Sequence, residues 1–280
     1  MNMTTGLTLG QIFSRAMQLF RKGFARLSVG ILLPLALASG LMSAAMAAMQ
    51  TGVAQGGVLI VGFFLVLFVT MVVGIVGYGA LAHAAVGLAA GRDTTVGDSW
   101  REGRRFRVWG TILLQGVGVV LGFIFCLLPG MYLSLAWALT MPVVFEESTF
   151  HSAALSRSHE LSRFNPKGGL GNDPRLRIFL ILVVTLATTY LLSALAQAPL
   201  LIAVMVETAR NVADGRRTEE MPVLIQWLQV PTTIVTSLVQ SAMTLLGNLA
   251  CAVVYFDIRG RQDAKDLDSA IDALDSAKRV

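Results

Sequence analysis

The sequence alternates between long apolar blocks without charge and shorter segments rich in arginine. Charged side chains are absent from four stretches, which lie between Arg26 and Arg92, Arg107 and Glu146, Arg177 and Glu207, and Glu220 and Asp257. A helix needs roughly 20 apolar residues to cross the hydrocarbon core of a bilayer. The first two stretches are each long enough for two crossings and the last two for one each, so the pattern predicts six transmembrane helices.

Turn signals set the boundaries of these helices. The polar and glycine residues between Gln50 and Gly57 divide the first block, and Pro129-Gly130 divides the second. The six predicted spans are about 27–49, 57–79, 108–128, 131–147, 178–200 and 231–256. The sequence therefore predicts an all-α integral membrane bundle of three hairpins over residues 1–260. A short acidic cytoplasmic tail, 261–280, follows with the spacing of an amphipathic helix.

Composition supports a membrane protein. The chain of 280 residues is 55% hydrophobic and 14% charged, with a mean hydropathy of +0.68, whereas a soluble domain carries roughly 25% charged residues. Its charged residues are too few to cover a surface that faces water. The net charge is +5, and the basic residues lie beside the apolar blocks, where we expect them to meet anionic lipid headgroups at the cytoplasmic face. We expect no nucleic acid partner.

The basic residues predict the orientation. Most of the 22 lysines and arginines fall into four groups, within residues 15–26, 92–107, 157–177 and 259–279. Six spans place all four groups on one side, whereas five spans would place two of them outside, against the positive-inside rule. We therefore expect both termini in the cytoplasm and the mixed-charge segment 207–220 outside.

Basic amphipathic helices precede spans 1, 3 and 5. Segment 9–24 has one apolar face and one basic face, and Thr8 with Gln11 fits a capping box at its start. The pattern recurs at Thr95-Val96-Gly97-Asp98 and again over 149–164. Helices of this kind lie in the membrane interface. The same unit of interfacial helix, span, turn and span is thus used three times, although the spacing between units is irregular.

Two polar stripes lie inside predicted spans. Their members are Thr185, Thr189 and Ser193 in the fifth span and Thr233, Ser237, Gln240, Thr244 and Asn248 in the sixth. Polar side chains avoid lipid, so the stripes should face other helices, either as packing contacts or as the lining of a substrate pathway. A cavity lined by Thr185, Thr233, Ser237 and Gln240 would favour transport, and a closed bundle would favour a structural role.

Two stretches carry a family resemblance. MPVVFEE at 141–147 is followed by AALSRSHEL at 153–161, and the last span closes on YFDIRGR at 255–261. The combination resembles the bacterial membrane-domain family named after glycerophosphoryl diester phosphodiesterase, with its YciC-type relatives of unknown function. The resemblance implies the bacterial cytoplasmic (inner) membrane. Because the catalytic domain of that family is separate and only about 20 residues follow the motif, we expect the membrane domain alone; Gln262-Asp263-Ala264 departs from the family pattern.

The motif predicts a cluster of charges at the cytoplasmic face. Its members are Glu146, Glu147, Arg157, Asp257, Arg259 and Arg261. We expect Glu146 or Glu147 and Asp257 to pair with Arg157 and Arg259 and to fix the helices at the inner surface. The alternative is that these arginines bind lipid phosphates.

No catalytic constellation stands out in the sequence. The three histidines, His83, His151 and His159, form no metal-binding spacing, and no glycine-rich phosphate loop is present. We expect no cofactor and predict a non-enzymatic membrane protein that organises the membrane or binds lipid, a protein partner or a second copy of itself. A transporter or permease component for a small or lipophilic substrate is the alternative, and a lipid-modifying enzyme is disfavoured.

Overall fold

The computed structural model describes residues 7–50, 57–163, 173–213 and 223–278, and all regular structure in these ranges is helical. The α-helices are α1 Leu9–Leu27, α2 Leu33–Gln50, α3 Gly57–Ala89, α4 Val96–Gly103, α5 Phe106–Phe125, α6 Leu127–Ala136, α7 Thr140–Glu146, α8 His151–Leu161, α9 Pro174–Ala213 and α10 Val223–Lys278. A π-helical turn, Ser28–Leu32, joins α1 to α2. The all-α prediction is confirmed for the described residues.

Six described helical segments are long and apolar enough to cross a membrane. They are Leu9–Met49, Val61–Ala89, Phe106–Phe125, Leu127–Glu146, Pro174–Asn211 and Ile225–Asp263. Their number agrees with the six crossings predicted from the four charge-free stretches of the sequence. The agreement concerns the length and composition of the helices and not their arrangement in a membrane.

Several helices continue past the predicted span boundaries. The first predicted span, 27–49, is continuous with the helix predicted over 9–24, and α3 runs ten residues beyond position 79. Helix α9 has 40 residues and α10 has 56, with Pro199 and Pro231 inside them. At 1.5 Å per residue these helices are about 60 and 84 Å long, twice the hydrocarbon thickness or more. A charge-free run marks the part compatible with lipid, not the end of the helix.

The backbone of the predicted tail continues α10 as far as Lys278. The side chains from position 264 onward lie outside the described residues, and so do Phe164 of the third amphipathic segment and residues 214–220 of the predicted outside segment 207–220.

The turn within the second block also differs from the prediction. Helix α5 ends at Phe125, and Cys126 has an extended backbone (φ −171°, ψ 150°), so the turn lies at Cys126 and not at Pro129-Gly130. Pro129 is the third residue of α6, where a helix leaves the backbone N–H without an internal partner and proline is tolerated. Gly130 serves packing, because a Cβ added to Gly122 would lie 3.0 Å from its Cα.

The predicted fourth span, 131–147, is two short helices, α6 and α7, separated at residues 137–139. Pro142 in the first turn of α7 offers no N–H to the carbonyl four residues earlier. Side chains supply donors to the carbonyls at the break. Ser158 Oγ donates to the carbonyl of Ala136 at 2.9 Å, and Gln115 Nε2 donates to that of Trp137 at 3.0 Å.

A proline also accounts for the π-helical turn. Pro34 has no N–H for the carbonyl of Gly30 four residues earlier, and the indole Nε1 of Trp100 donates to that carbonyl at 2.8 Å. Trp100 belongs to α4, which begins at the N-cap Thr95. The hydrogen bond thus fastens α4 to the junction of α1 and α2.

The core is concentrated at one end of the molecule, which we call the charged end. The charged end comprises α1, the part of α3 from Gly79 onward, α4, α7, α8, the start of α9 as far as Leu182, and α10 from Met243 to Asp263. The largest fully buried side chains lie there, in the adjoining π-helical turn and α7 junction, or at the start of α5: Tyr255, Ile12, Ile31, Leu32, Leu81, Leu139, Ile178, Ile181, Leu245, Leu249, Val86 and Val108. The remainder of α2, α3, α9 and α10, the far half, exposes most of its large apolar side chains.

Helix α1 lies across this end. The backbone N–H of Leu7 donates to Asp257 Oδ1 of α10 at 3.1 Å, and sixteen residues later Gly23 packs against Leu88 near the end of α3. The predicted capping box is present, since Thr8 Oγ1 accepts from Gln11 N at 3.3 Å and Gln11 Oε1 accepts from Thr8 N at 2.8 Å.

Candidate functional site

Glu147 is the centre of a hydrogen-bonded network at the charged end. Its Oε2 lies 3.1 Å from Nε of Arg157 on α8, and its Oε1 accepts from the hydroxyl of Tyr255 on α10 at 2.9 Å. Arg259 Nη1 in turn donates to the Tyr255 hydroxyl at 2.7 Å and lies 3.5 Å from Glu147 Oε1. One carboxylate thereby connects α7, α8 and α10, and two arginines share its charge.

Asp257 is the centre of a second network and is more deeply buried. Its Oδ2 accepts from Arg177 Nη1 on α9 at 3.1 Å and from Arg261 Nη2 at 2.6 Å, while Oδ1 accepts the N–H of Leu7. The side chains of Arg177 and Asp257 are only 5% and 9% exposed. Asp257 therefore ties α9 and the start of α1 to α10.

The charged motif is thus assembled in part as predicted. Glu147 lies against Arg157 and Arg259, which were expected partners, whereas Glu146 pairs with Arg92, three residues after the end of α3. The prediction that Asp257 pairs with Arg157 or Arg259 is wrong. Asp257 instead pairs with Arg177 of α9 and with Arg261, because it faces α9 and not α8.

Sequence reasoning missed two members of the site, Arg177 and Tyr255. Arg177 is the last cation before the fifth apolar block, where the charge pattern marks it only as a member of the basic group within 157–177. Tyr255 opens the motif YFDIRGR, but the predicted cluster contains only the charged members of that motif. A buried acid such as Asp257 needs a cation from another helix, and the cation at the boundary of the neighbouring span is Arg177.

The connection between α7 and α8 is held in an unusual backbone conformation. Ser148 and His151 have positive φ angles, 52° and 57°, which non-glycine residues adopt infrequently. The N–H of His151 donates to Thr111 Oγ1 of α5 at 2.7 Å. This connection sets the distance between Glu147 and Arg157.

Burial lowers the pKa of Arg157, but Glu147 and Glu160 raise it by more, so that its pKa stands above the ordinary value.

A cleft of about 580 Å³ lies between α5–α6 and α9–α10. Its lining is mostly apolar, and its polar members include Gln115, Ser134, Thr185, Thr244 and Asn248. Three residues of the predicted stripes therefore line a cleft. Thr233, Ser237 and Gln240, which we expected beside Thr185, are not among its lining residues.

The other stripe residues make contacts of different kinds. Thr233 Oγ1 donates to Ser43 Oγ of α2 at 3.2 Å. The hydroxyls of Thr189 and Thr244 donate to carbonyls one turn earlier in their own helices. Buried polar atoms without a hydrogen-bond partner remain on Thr185 (Oγ1), Ser193 (Oγ) and Asn248 (Nδ2). The predicted stripes thus divide between helix packing and the cleft.

Together, six described helices that are long and apolar enough to cross a membrane indicate a multi-pass helical membrane protein. Among the described residues, no three His, Cys, Asp or Glu side chains converge to hold a metal ion. No family model, curated protein or solved structure matches the chain. The resemblance to the membrane-domain family stays a prediction from its motifs.

Proposed function

We propose that the chain is a non-enzymatic multi-pass protein of the bacterial cytoplasmic membrane that binds anionic lipid headgroups at its charged end. The observation that carries the proposal is an excess of exposed, unpaired cations at that end. These are Arg15, Arg21, Lys22, Arg26, Arg101, Arg104, Arg107 and Arg163, and none is within ion-pair distance of a described acid.

The acids at this end are largely occupied by other partners. Glu147 and Asp257 pair with arginines of other helices, Glu146 pairs with Arg92 between α3 and α4, and Glu102 pairs with Arg105. The hydroxyl of Thr95 lowers the pKa of Asp98. The free cations thus have few protein partners left. Near an anionic membrane surface, each contributes roughly 1 kcal/mol to binding.

The proposal includes the position of three helices. Helices α1, α4 and α8 carry the basic groups and would lie at the cytoplasmic interface, with both termini cytoplasmic and each of the pairs α2–α3, α5–α6 and α9–α10 returning to that side. Helix α1 supports this, because Ile12 and Ala16 on one face are buried while Arg15 and Lys22 on another are exposed.

Native mass spectrometry of the protein from mild detergent, with equimolar phosphatidylglycerol and phosphatidylcholine added, tests the proposal. We expect preferential retention of the anionic lipid, weakened by salt and by the triple variant Arg21→Gln, Lys22→Gln, Arg26→Gln. The matched control is Arg210→Gln, an exposed cation near the opposite end of α9, which should change nothing. Equal retention of both lipids by the unmodified protein would refute the proposal.

A second candidate function is transport of a lipophilic molecule, which the cleft favours. Ligand sites are typically clefts of roughly 300–1,000 Å³ that combine apolar walls with a few polar groups, as this one does. If it is a substrate site, Gly116→Leu, which fills it from α5, should abolish binding of a fluorescent lipophilic probe, and Gly62→Leu in the far half should not. Probe binding unaffected by Gly116→Leu would remove this candidate.

A further inference from the structure

We propose that α5 and α6 do not cross the bilayer. They form a hairpin that inserts into the acyl chains of the leaflet at the charged end and returns, so that the crossings are made by the four helical segments around α2, α3, α9 and α10. The proposal goes beyond the proposed function and does not depend on it.

Helix α6 lies at the charged end along much of its length. The ring of Tyr132 is 5.3 Å from the guanidinium carbon of Arg175 and 5.9 Å from the ring of His159. The carbonyl of Ala136 accepts hydrogen bonds from the hydroxyls of Ser158 and Ser162 of the α8 segment. These partners belong to α8 and to the first turn of α9.

The tip of the hairpin cannot be far from this level. Arg175 is two residues from the buried Arg177–Asp257 pair, and α9 rises roughly 57 Å from it to Ala213. A crossing helix would place its tip about 30 Å from the charged end. Cys126, at the tip, is six residues from Tyr132, which is about 9 Å of helix.

The path of α5 gives the same result independently. A Cβ on Gly79 of α3 would lie 3.3 Å from Val108 Cγ1, so α5 begins ten residues before the end of α3. Ala89, at that end, shares a depression with Asp257. Helix α5 therefore starts about 15 Å along α3 from the end of α3 that lies near Asp257. A crossing would take it further away, yet Gly122 meets Gly130 of α6, two residues from Tyr132 at the charged end.

The surface of the hairpin requires lipid. Large exposed apolar side chains cover it: Val117, Val120, Leu121, Ile124, Phe125 (82% exposed), Leu127 and Leu128 (72% exposed). An apolar surface of this size marks an interaction site, and the chain between Arg107 and Glu146 carries no charge. The turn tolerates a lipid environment, because Cys126 N–H donates to Gly122 O and Gly130 N–H to Cys126 O.

Charge topology cannot distinguish the two arrangements. A hairpin that crosses twice and one that inserts and returns both bring Arg107 and Glu146 to the same side. The positive-inside rule is therefore satisfied by four crossings as well as by six.

The native cysteine at the tip allows a direct test. Cys251→Ala removes the buried cysteine and leaves Cys126 alone. Reference variants carry one cysteine, at Ser156 of α8 or at Ala213 of α9, in a chain without Cys126 and Cys251. Each is treated with a membrane-impermeant maleimide in right-side-out and in inverted membrane vesicles. We expect Cys126 not to react in the vesicles in which Ala213→Cys reacts.

Reaction of Cys126 from the same side as Ala213→Cys would overturn the proposal, and reaction from the side of Ser156→Cys would support it. If Cys126 reacts from neither side, a bimane attached to it is tested with nitroxide lipids confined to one leaflet. Quenching from the leaflet at the charged end supports insertion, and quenching from the other leaflet refutes it. If Cys251→Ala does not fold, the unmodified chain serves instead, with Cys126→Ala as its unlabelled control, because Cys251 is buried.

Discussion

The charged end and the far half are built from the same helices but are held together differently. At the charged end α3, α9 and α10 bury large side chains against α1, α7 and α8, and buried ion pairs join them. In the far half the same three helices and α2 expose large apolar residues such as Phe64, Leu65 and Ile202. One part resembles the interior of a soluble domain, and the other is a lipid-facing bundle.

This difference predicts that the charged end contributes more than the far half to the free energy of unfolding. Burial at the charged end removes apolar surface from water, whereas lipid surrounds the far half and supplies no comparable driving force between helices. Equivalent substitutions should therefore cost more at the charged end. All four predictions below concern the free energy of unfolding, measured by denaturant titration in mild detergent.

Replacing Asp257 by alanine should have the largest effect. The change removes the buried carboxylate that Arg177, which is 5% exposed, shares with Arg261. Breaking a buried pair from one side typically costs about 3–5 kcal/mol. The control is Asp257→Leu combined with Arg177→Met, which removes both charges and should recover much of the loss. A loss below 1 kcal/mol for Asp257→Ala would mean that the pair does not hold this end.

Gly103→Ala should come next. A Cβ at this position would meet the backbone of α3, at the carbonyl of Val76 and within 2.8 Å of Ala80 N. Backbone atoms cannot move aside as a flexible side chain can, so we expect a cost of roughly 3 kcal/mol, the upper end for overpacking. Gly74→Ala is the matched control in the far half, where nothing lies within 4 Å, and it should be neutral or slightly stabilising. Equal effects of the two changes would erase the contrast between the regions.

The spacing of charges along the sequence predicts the number of candidate spans, but it predicts little of how the helices are arranged in three dimensions. The apolar blocks give the number of candidate spans, and Thr8 with Gln11 gives the start of α1, because both signals are local. The break at 137–139 could not be predicted, since its carbonyls are satisfied by Gln115 and Ser158, which are distant in sequence.

The candidate site shows the same limit. The sequence identified Glu147, Arg157 and Arg259 as charges at one boundary. The partner of Asp257 depends on the rotation of α10 about its axis, which places Asp257 toward α9 and Tyr255 toward Glu147. Rotation is set by packing across several helices, and a pattern of charges along the chain does not contain it.

Tyr255→Phe measures a smaller contribution at the charged end. It removes a hydroxyl that donates to Glu147 and accepts from Arg259 while keeping the buried ring. Glu147 retains Arg157, so we expect a loss of about 1 kcal/mol, the low end for an interrupted buried hydrogen bond. Tyr190→Phe on the exposed face of α9 is the control and should be silent. If both changes are silent, the hydroxyl network does not contribute to stability.

Thr233→Val should have the smallest measurable effect and examines the far half itself. The change preserves the shape of the side chain and removes the donor to Ser43 Oγ, a hydrogen bond between α2 and α10. Hydrogen bonds between membrane helices average about 0.6 kcal/mol, because the separated helices find other partners. Thr232→Val is the matched control, since its hydroxyl donates only to Leu228 O within α10. A cost for Thr233→Val as large as that for Asp257→Ala would show that polar contacts, and not burial at the charged end, hold the bundle together.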